Sequence, residues 1–206
     1  MRRIVALGIV NAGKSSLLSA LADEKDLFPT GDVPRVTRQV QEEKRGGLWL
    51  VDTPGLDAAE KDLVFAFKAA ARAQTTLWCH SLRMGELRPT EIEALHRYKR
   101  TNRLWRTCFV LTHADNLAKF EVVRIVSARI AEQLGAVFGL RFLGVGEKPP
   151  QPRRGQRNPR PFDVVGVDEY WRSRESGAPK VSLRLARSGI PHLRSFLLSL
   201  PPGDRA

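Results

Sequence analysis

Cysteine is nearly absent from this chain: it contains only Cys79 and Cys108 in 206 residues. So few cysteines exclude a disulfide framework or a cysteine-rich metal site, which would need several of them at regular spacing. Each lies within a strand-like segment, so we expect two buried thiols in neighbouring strands rather than a catalytic nucleophile.

The chain also lacks any apolar run of the roughly 20 residues that span a bilayer, so we expect no transmembrane segment. Because the N-terminus leads directly into a strand-like segment, no signal peptide is expected, and a cytoplasmic location is the default.

Acidic residues are scarce relative to basic ones. The chain has 22 Asp and Glu against 34 Lys and Arg, which gives a formal net charge of +12 and a sequence pI near 10.5. Such a surface attracts polyanions, including RNA, ribosomes, anionic lipid and nucleotides, without choosing among them. Basic irregular insertions are predicted at about 146–161, which is rich in Pro, Gly and Arg, and at about 170–187. Each alone has the character of a solvated linker, whereas together they favour a polyanion-binding face.

The rest of the chain alternates strand-like and helix-like segments. This alternation predicts an α/β fold with three layers, a mostly parallel six-stranded sheet flanked by helices, within a single domain spanning 1–206. The predicted strands are 3–7, 40–44, 48–51, 76–79, 108–111 and 162–165, and the predicted helices are 14–22, 61–73, 89–100, 120–135 and 190–200. Within 120–135 the apolar residues recur at helical spacing, which indicates core packing.

A glycine-rich motif, G-x-x-x-x-G-K-S, runs from Gly8 to Ser15, between the first predicted strand and the first predicted helix. In that context the backbone N–H groups from Asn11 to Ser16 and the helix N-terminus would surround a polyphosphate. Lys14 would neutralise its charge, and the Ser15 hydroxyl would ligate Mg²⁺. The alternative is an ordinary strand-to-helix turn with a solvated lysine. The motif therefore predicts binding of a nucleoside triphosphate.

A second motif, Asp52-Thr53-Pro54-Gly55, ends the third predicted strand. A carboxylate at the tip of a strand beside a phosphate loop can hold Mg²⁺ through water, and the Gly55 N–H can approach a γ-phosphate. Between the two motifs, Thr37 is chosen over Thr30 as a residue that contacts Mg²⁺ through its hydroxyl and the γ-phosphate through its N–H. We therefore expect Ser15, Thr37 and Asp52 at the magnesium ion, with Lys14, Thr37 and Gly55 as the catalytic group.

Together these motifs resemble a P-loop GTPase domain (G domain) of the Era and MnmE (TrmE-like) branch of translation-factor-related GTPases. The resemblance rests on 11–17, 37–38 and 52–56, in the family's order and near its spacing, and it covers 3–115 most securely. It implies a Mg²⁺-dependent GTP-hydrolysing switch. Leu56 stands where many GTPases have glutamine, and leucine cannot orient water, so intrinsic hydrolysis should be slow. In this branch an asparagine at the position of Asn11 accompanies K⁺ binding, which implies hydrolysis stimulated by potassium.

Recognition of the base is assigned to Thr112-His113-Ala114-Asp115, which follows the fifth predicted strand. A single carboxylate can accept both the N1–H and the 2-amino group of guanine, and adenine lacks this donor pair. The family pattern is N-K-x-D; here Thr112 keeps a hydroxyl for bracing loops, and the His113 imidazole can stack where a lysine stem normally covers the base. An alternative role for Asp115 is a helix cap.

The last guanine-binding element is assigned to Gly166 and Val167, with 142–146 as the competing loop. Three functions follow from these assignments. The first is a GTPase acting with ribosome or RNA, and the second is a GTP-dependent module that binds a protein effector or forms a homodimer. The third is an ATP-binding or degenerate structural protein. They are ranked in that order, because the net charge of +12 favours a polyanionic partner.

Overall fold

The computed structural model describes residues 1–29, 40–101, 104–116, 120–140, 142, 163–164 and 189–199. Strands and helices alternate along this part of the chain. The strands are β1 (Arg2–Leu7), β2 (Gln41–Arg45), β3 (Leu48–Asp52), β4 (Thr75–Ser81), β5 (Thr107–Thr112) and β6 (Asp163–Val164). The helices are α1 (Lys14–Ala22), α2 (Glu60–Ala71), α3 (Pro89–Lys99), α4 (Phe120–Phe138) and α5 (Ile190–Ser199).

The described strands form one sheet in the order β2-β3-β1-β4-β5-β6. Every neighbouring pair is parallel except β2 and β3, which form an antiparallel hairpin at one edge. This arrangement confirms the predicted α/β fold class. Because β1 lies at the centre between β3 and β4, the segments that follow these three strands meet at one end of the sheet, where open α/β sheets bind their ligands.

Helices cover both faces of the sheet, so its central strands are buried on both sides. Along β1, Val5 and Leu7 face a core shared with α2, α3 and α4, while Ile4 and Ala6 face a core shared with α1 and α5. A parallel strand buried on both faces has a continuous apolar sequence rather than an alternating one. The apolar runs 4–7 in β1 and 108–111 in β5 follow this rule, whereas β4 is buried although it also contains threonine, histidine and serine.

The element ends differ from prediction mainly at α4, which was predicted to end at Gly135. That prediction is wrong by three residues, because the helix continues to Phe138. The chain turns at Gly139, which has φ 66° and donates its N–H to the Gly135 carbonyl at 2.8 Å. A left-handed glycine of this kind closes helices, whereas a glycine inside a helix only weakens it.

The two cysteines lie in the neighbouring strands β4 and β5, as predicted, but only Cys79 is fully buried. Cys108 is half-buried, which corrects that part of the expectation. Burial raises the pKa of the Cys79 thiol to about 12, so this group is inert. None of the helices in the described ranges is both long and apolar enough to cross a membrane.

Candidate nucleotide-binding site

The loop between β1 and α1 has a backbone that depends on its glycines. Gly8 has φ 152°, and a Cβ there would lie 2.4 Å from the Cys79 carbonyl oxygen. Gly13 has φ 79°, and Asn11 is also left-handed at φ 62°. The loop thus folds tightly against β4. It leads into α1, whose first turn contains no acidic residue and whose N-cap, Gly13, offers no side chain. This helix N-terminus therefore has a positive potential, and no side chain at its N-cap blocks the approach of an anion.

Lys14 lies inside this loop and is only 7% exposed. Its ammonium group donates to the carbonyl oxygens of Gly8 at 3.1 Å and Ile9 at 2.9 Å. Burial lowers the pKa of Lys14, and the Asp52 carboxylate is the strongest charge opposing that effect. An ammonium has three donors, so these two bonds orient the side chain across the loop and leave a further proton for a ligand.

Ser15 and Asp52 meet at the base of the loop. The Ser15 hydroxyl donates to Asp52 Oδ2 at 2.6 Å, and the Asp52 side chain is fully buried at the end of β3. The other carboxylate oxygen accepts the N–H of Thr53 at 3.1 Å, and Thr53 in turn donates its hydroxyl to the Ala6 carbonyl. Hydroxyl and carboxylate oxygens at one point are the donor types that Mg²⁺ prefers, so this pair fits a magnesium site.

The segment that follows Asp52 is attached to the loop by three contacts. The Leu56 N–H donates to the Gly8 carbonyl at 3.1 Å, and Asp57 Oδ1 accepts the Val10 N–H at 2.7 Å. Gly55 packs so closely that a Cβ there would lie 2.3 Å from Val10 Cγ2. Sequence reasoning missed Asp57, for which the only signal was its place two residues after Gly55.

The proposed base-binding segment packs against the same loop from the other side. Thr112 donates its buried hydroxyl to the Ala12 carbonyl at 2.8 Å, across 100 residues of sequence. His113, left-handed at φ 57°, places its Nδ1 3.1 Å from that hydroxyl and 3.0 Å from the Ser81 hydroxyl. A Cβ on Gly13 would lie 3.0 Å from His113 Cε1. The imidazole therefore packs against the phosphate loop.

Asp115 follows three residues after Thr112, in the short 3₁₀ turn Ala114–Asn116, and is half-buried. Helix α4 begins only at Phe120, so Asp115 is not its N-cap residue. Among the other predicted residues, Ala12 is buried, whereas Ser16 is half-buried in the first turn of α1. Thr37, Gly166 and Val167 lie outside the described residues, as do both basic insertions.

A buried ion pair supports the end of β4 beside this site. His80 Nδ1 lies 2.9 Å from Glu91 Oε2, while its Nε2 lies 2.9 Å from the Gly85 carbonyl oxygen. Glu91 also accepts the Trp78 indole N–H at 3.2 Å. Burial alone would lower the pKa of His80, but the Glu91 carboxylate outweighs it and the pKa is raised. The pair fixes the start of α3 to β4, next to the serine that contacts His113. No sequence motif indicated it.

The fold and the phosphate loop define a P-loop GTPase domain. The family model described as 50S ribosome-binding GTPase matches residues 3–113, more than half of the chain, and the chain belongs to this family. The match covers the phosphate loop and the Asp52 motif and ends at His113. No curated protein sequence matches the chain significantly.

Solved structures share the fold at low sequence identity. Toc33 from Arabidopsis thaliana, in a dimerization-deficient mutant form, matches with a TM-score of 0.65 and 17% identity, over 95% of this chain and 82% of that one. Era from Aquifex aeolicus bound to GDP·AlF₄⁻ matches with a TM-score of 0.63 and 15% identity, over 99% of this chain and 59% of that one. Era in complex with MgGDPNP and nucleotides 1506–1542 of 16S ribosomal RNA matches with a TM-score of 0.62 and 14% identity, over 100% of this chain and 58% of that one. This chain thus spans less than two thirds of either Era chain.

Proposed function

We propose that this chain is a GTP-binding and GTP-hydrolysing molecular switch of the Era/MnmE branch, dependent on Mg²⁺ and stimulated by K⁺. The observation that carries the proposal is the position of Lys14, buried in a glycine loop with its ammonium on the carbonyls of Gly8 and Ile9. Family membership supports GTP hydrolysis in general. The choice of guanine is supported by the position of Asp115 directly after β5, on a segment that packs against the phosphate loop.

Phosphoryl transfer to water needs neutralised phosphate charge and an oriented nucleophile. In the proposed mechanism Lys14 and the loop N–H groups neutralise the β- and γ-phosphates, and the Gly55 N–H contacts the γ-phosphate. Ser15, Asp52 and, from outside the described residues, Thr37 would hold Mg²⁺, which adds positive charge at the phosphate oxygens. The residue after Gly55 is Leu56, whose side chain is only 6% exposed within the core. Because this side chain can neither reach nor orient water, intrinsic hydrolysis is slow.

The missing catalytic charge is assigned to K⁺ at Asn11. Asn11 is exposed at the turn of the loop, and its side-chain amide oxygen is a suitable ligand for a monovalent cation. A cation there would place positive charge near the phosphates, as an arginine finger does. This assignment rests on the resemblance of 11–17 to the Era/MnmE loop.

A titration with GTP, GDP and ATP in KCl and in NaCl tests base choice, phosphate count and activation together. We expect both guanine nucleotides to bind in preference to ATP, and GTP turnover to be roughly tenfold faster in KCl, which corresponds to about 1.4 kcal/mol of barrier. Asn11→Gly, which keeps the left-handed backbone, should lose this stimulation and retain the NaCl rate. Equal wild-type rates in the two salts would remove the K⁺ site, and a preference for ATP would remove the guanine assignment.

The partner that we propose for the GTP-bound form is ribosomal RNA. The segment 146–161 contains five basic residues and one acidic residue, within a chain of net charge +12. The name of the family and the 16S RNA fragment bound to an Era structure point in the same direction. The second candidate, a GTP-dependent dimerisation module, is favoured by the structural likeness to Toc33, of which a dimerization-deficient mutant was crystallised.

Binding of isolated ribosomal RNA should depend steeply on salt. If about five phosphates are neutralised, raising KCl from about 50 to 200 mM should lower the affinity by roughly 100-fold or more. Replacing Arg153, Arg154, Arg157 and Arg160 by serine should flatten this dependence, while a control that replaces the ion-paired Arg124 and Arg129 of α4 by serine should change it less. A dimer that forms with GTP but shows no RNA affinity would instead support the second candidate.

A further inference from the structure

Asp57 makes a contact that the proposed mechanism does not use. Its carboxylate Oδ1 accepts the Val10 N–H at 2.7 Å, which joins two segments 47 residues apart in sequence. The neighbouring bond from the Leu56 N–H to the Gly8 carbonyl, at 3.1 Å, attaches the same two segments a second time. The Asp57 side chain is therefore held against the first half of the phosphate loop.

The place that Asp57 occupies is one that attracts anions. Val10 belongs to the loop whose backbone N–H groups and lysine bind phosphates. Asp57 is also close enough to Lys14 to be one of the carboxylates that oppose the lowering of its pKa, after burial and Asp52. The negative charge of Asp57 thus already neutralises part of the positive potential that would attract a polyphosphate.

The third phosphate is the one that competes with Asp57. Gly55, whose N–H the mechanism assigns to the γ-phosphate, packs on Val10 so closely that its Cβ would lie 2.7 Å from the Val10 nitrogen. A phosphate read by Gly55 therefore comes next to the amide that Asp57 occupies. Two anions at one amide repel each other, whereas the α- and β-phosphates, bound farther along the loop toward α1, do not meet this carboxylate.

We infer that Asp57 is a specificity-determining residue that discriminates between the two guanine nucleotides: its carboxylate stays on the Val10 amide with GDP and is displaced by the γ-phosphate of GTP. The inference rests on the proposed function. It gives the switch a physical trigger, because displacement of Asp57 removes one of the two hydrogen bonds that attach residues 56 and 57 to the loop and leaves only the bond from the Leu56 N–H. It also implies that the carboxylate lowers the affinity for GTP relative to GDP.

The test compares GDP with a non-hydrolysable GTP analogue by calorimetry in the presence of Mg²⁺, for the wild type and Asp57→Asn. Asparagine retains an oxygen for the Val10 N–H but removes the charge, so the fold should be kept, as thermal unfolding would check. We expect the affinity for the GTP analogue to rise roughly tenfold, and that for GDP to change less than about twofold. Asp26→Asn removes the same charge at an exposed position and should alter neither affinity.

Hydrogen exchange at the Val10 amide gives a second measurement. With GDP bound, Asp57→Ala should exchange this amide faster than the wild type, because the hydrogen bond is gone. Three outcomes would overturn the inference about Asp57 without affecting the proposed function. In Asp57→Asn these are an equal change in affinity for the two nucleotides and a weaker binding of the GTP analogue. In Asp57→Ala it is an unchanged exchange rate of the Val10 amide. A wild-type chain that binds neither guanine nucleotide would overturn the proposed function together with it.

Discussion

Replacement of Lys14 by alanine should lower the affinity for both GTP and GDP by at least about 100-fold, because removal of one partner from a buried charged contact costs about 3 kcal/mol or more. The loop itself should survive the change. The two carbonyls that Lys14 contacts retain other donors, since Gly8 also accepts the Leu56 N–H at 3.1 Å and Ile9 also accepts the Ala12 N–H at 3.2 Å. Fluorescence titration with a labelled guanine nucleotide measures the effect.

The matched control for this prediction is Lys68→Ala, which removes an exposed lysine from the last turn of α2. It should leave nucleotide affinity unchanged. If Lys14→Ala retained wild-type affinity, the assignment of residues 8–15 as a phosphate loop would fail, whatever the result for the base.

Replacement of Asp115 by asparagine should transfer preference from guanine to xanthine. The carboxylate is proposed to accept two guanine N–H bonds, and their loss at about 1.5 kcal/mol each lowers the affinity for GTP by roughly 100-fold. An asparagine amide presents a donor to the 2-oxo group of xanthine, so xanthosine triphosphate should become the better ligand. Displacement of a labelled nucleotide by GTP and by xanthosine triphosphate measures the ratio.

Asp26→Asn serves as the control for Asp115→Asn as well. Asp26 is exposed and left-handed at φ 59°, a conformation that asparagine also tolerates. An unchanged preference in Asp115→Asn would disconnect this residue from the base. It would leave the phosphate loop and the magnesium pair unaffected, because those residues lie between β1 and α1, in α1 and at the end of β3.

The sheet was predictable from the sequence because β1, β3 and β5 contain continuous apolar runs, and because the glycines of the phosphate loop mark where β1 ends. Helix boundaries were less predictable. Gly135 and Gly139 are both candidate helix ends on chemistry alone, and only the packing of α4 against the rest of the core selects the second. Local sequence does not contain that information.

Within the candidate site, the residues that belong to linear motifs were predictable, and the structure brings Lys14, Ser15 and Asp52 together. The contacts between motifs were not predictable, since a carboxylate such as Asp57 or a buried pair such as His80 and Glu91 has no signature of spacing. Their partners lie on other elements and become neighbours only through the strand order. Tertiary hydrogen bonds of this kind are found only in the three-dimensional structure.

The hydroxyl of Thr112 on the Ala12 carbonyl has a consequence for ligand size. It fixes the segment proposed to read the base against the segment proposed to read the phosphates, so the gap between them has a set length. In the proposed complex the ribose, which connects the base to the phosphates, must span this fixed distance. Free guanine and free pyrophosphate each occupy one end of the site only. The fixed spacing therefore raises the affinity for the intact nucleotide and not for either fragment.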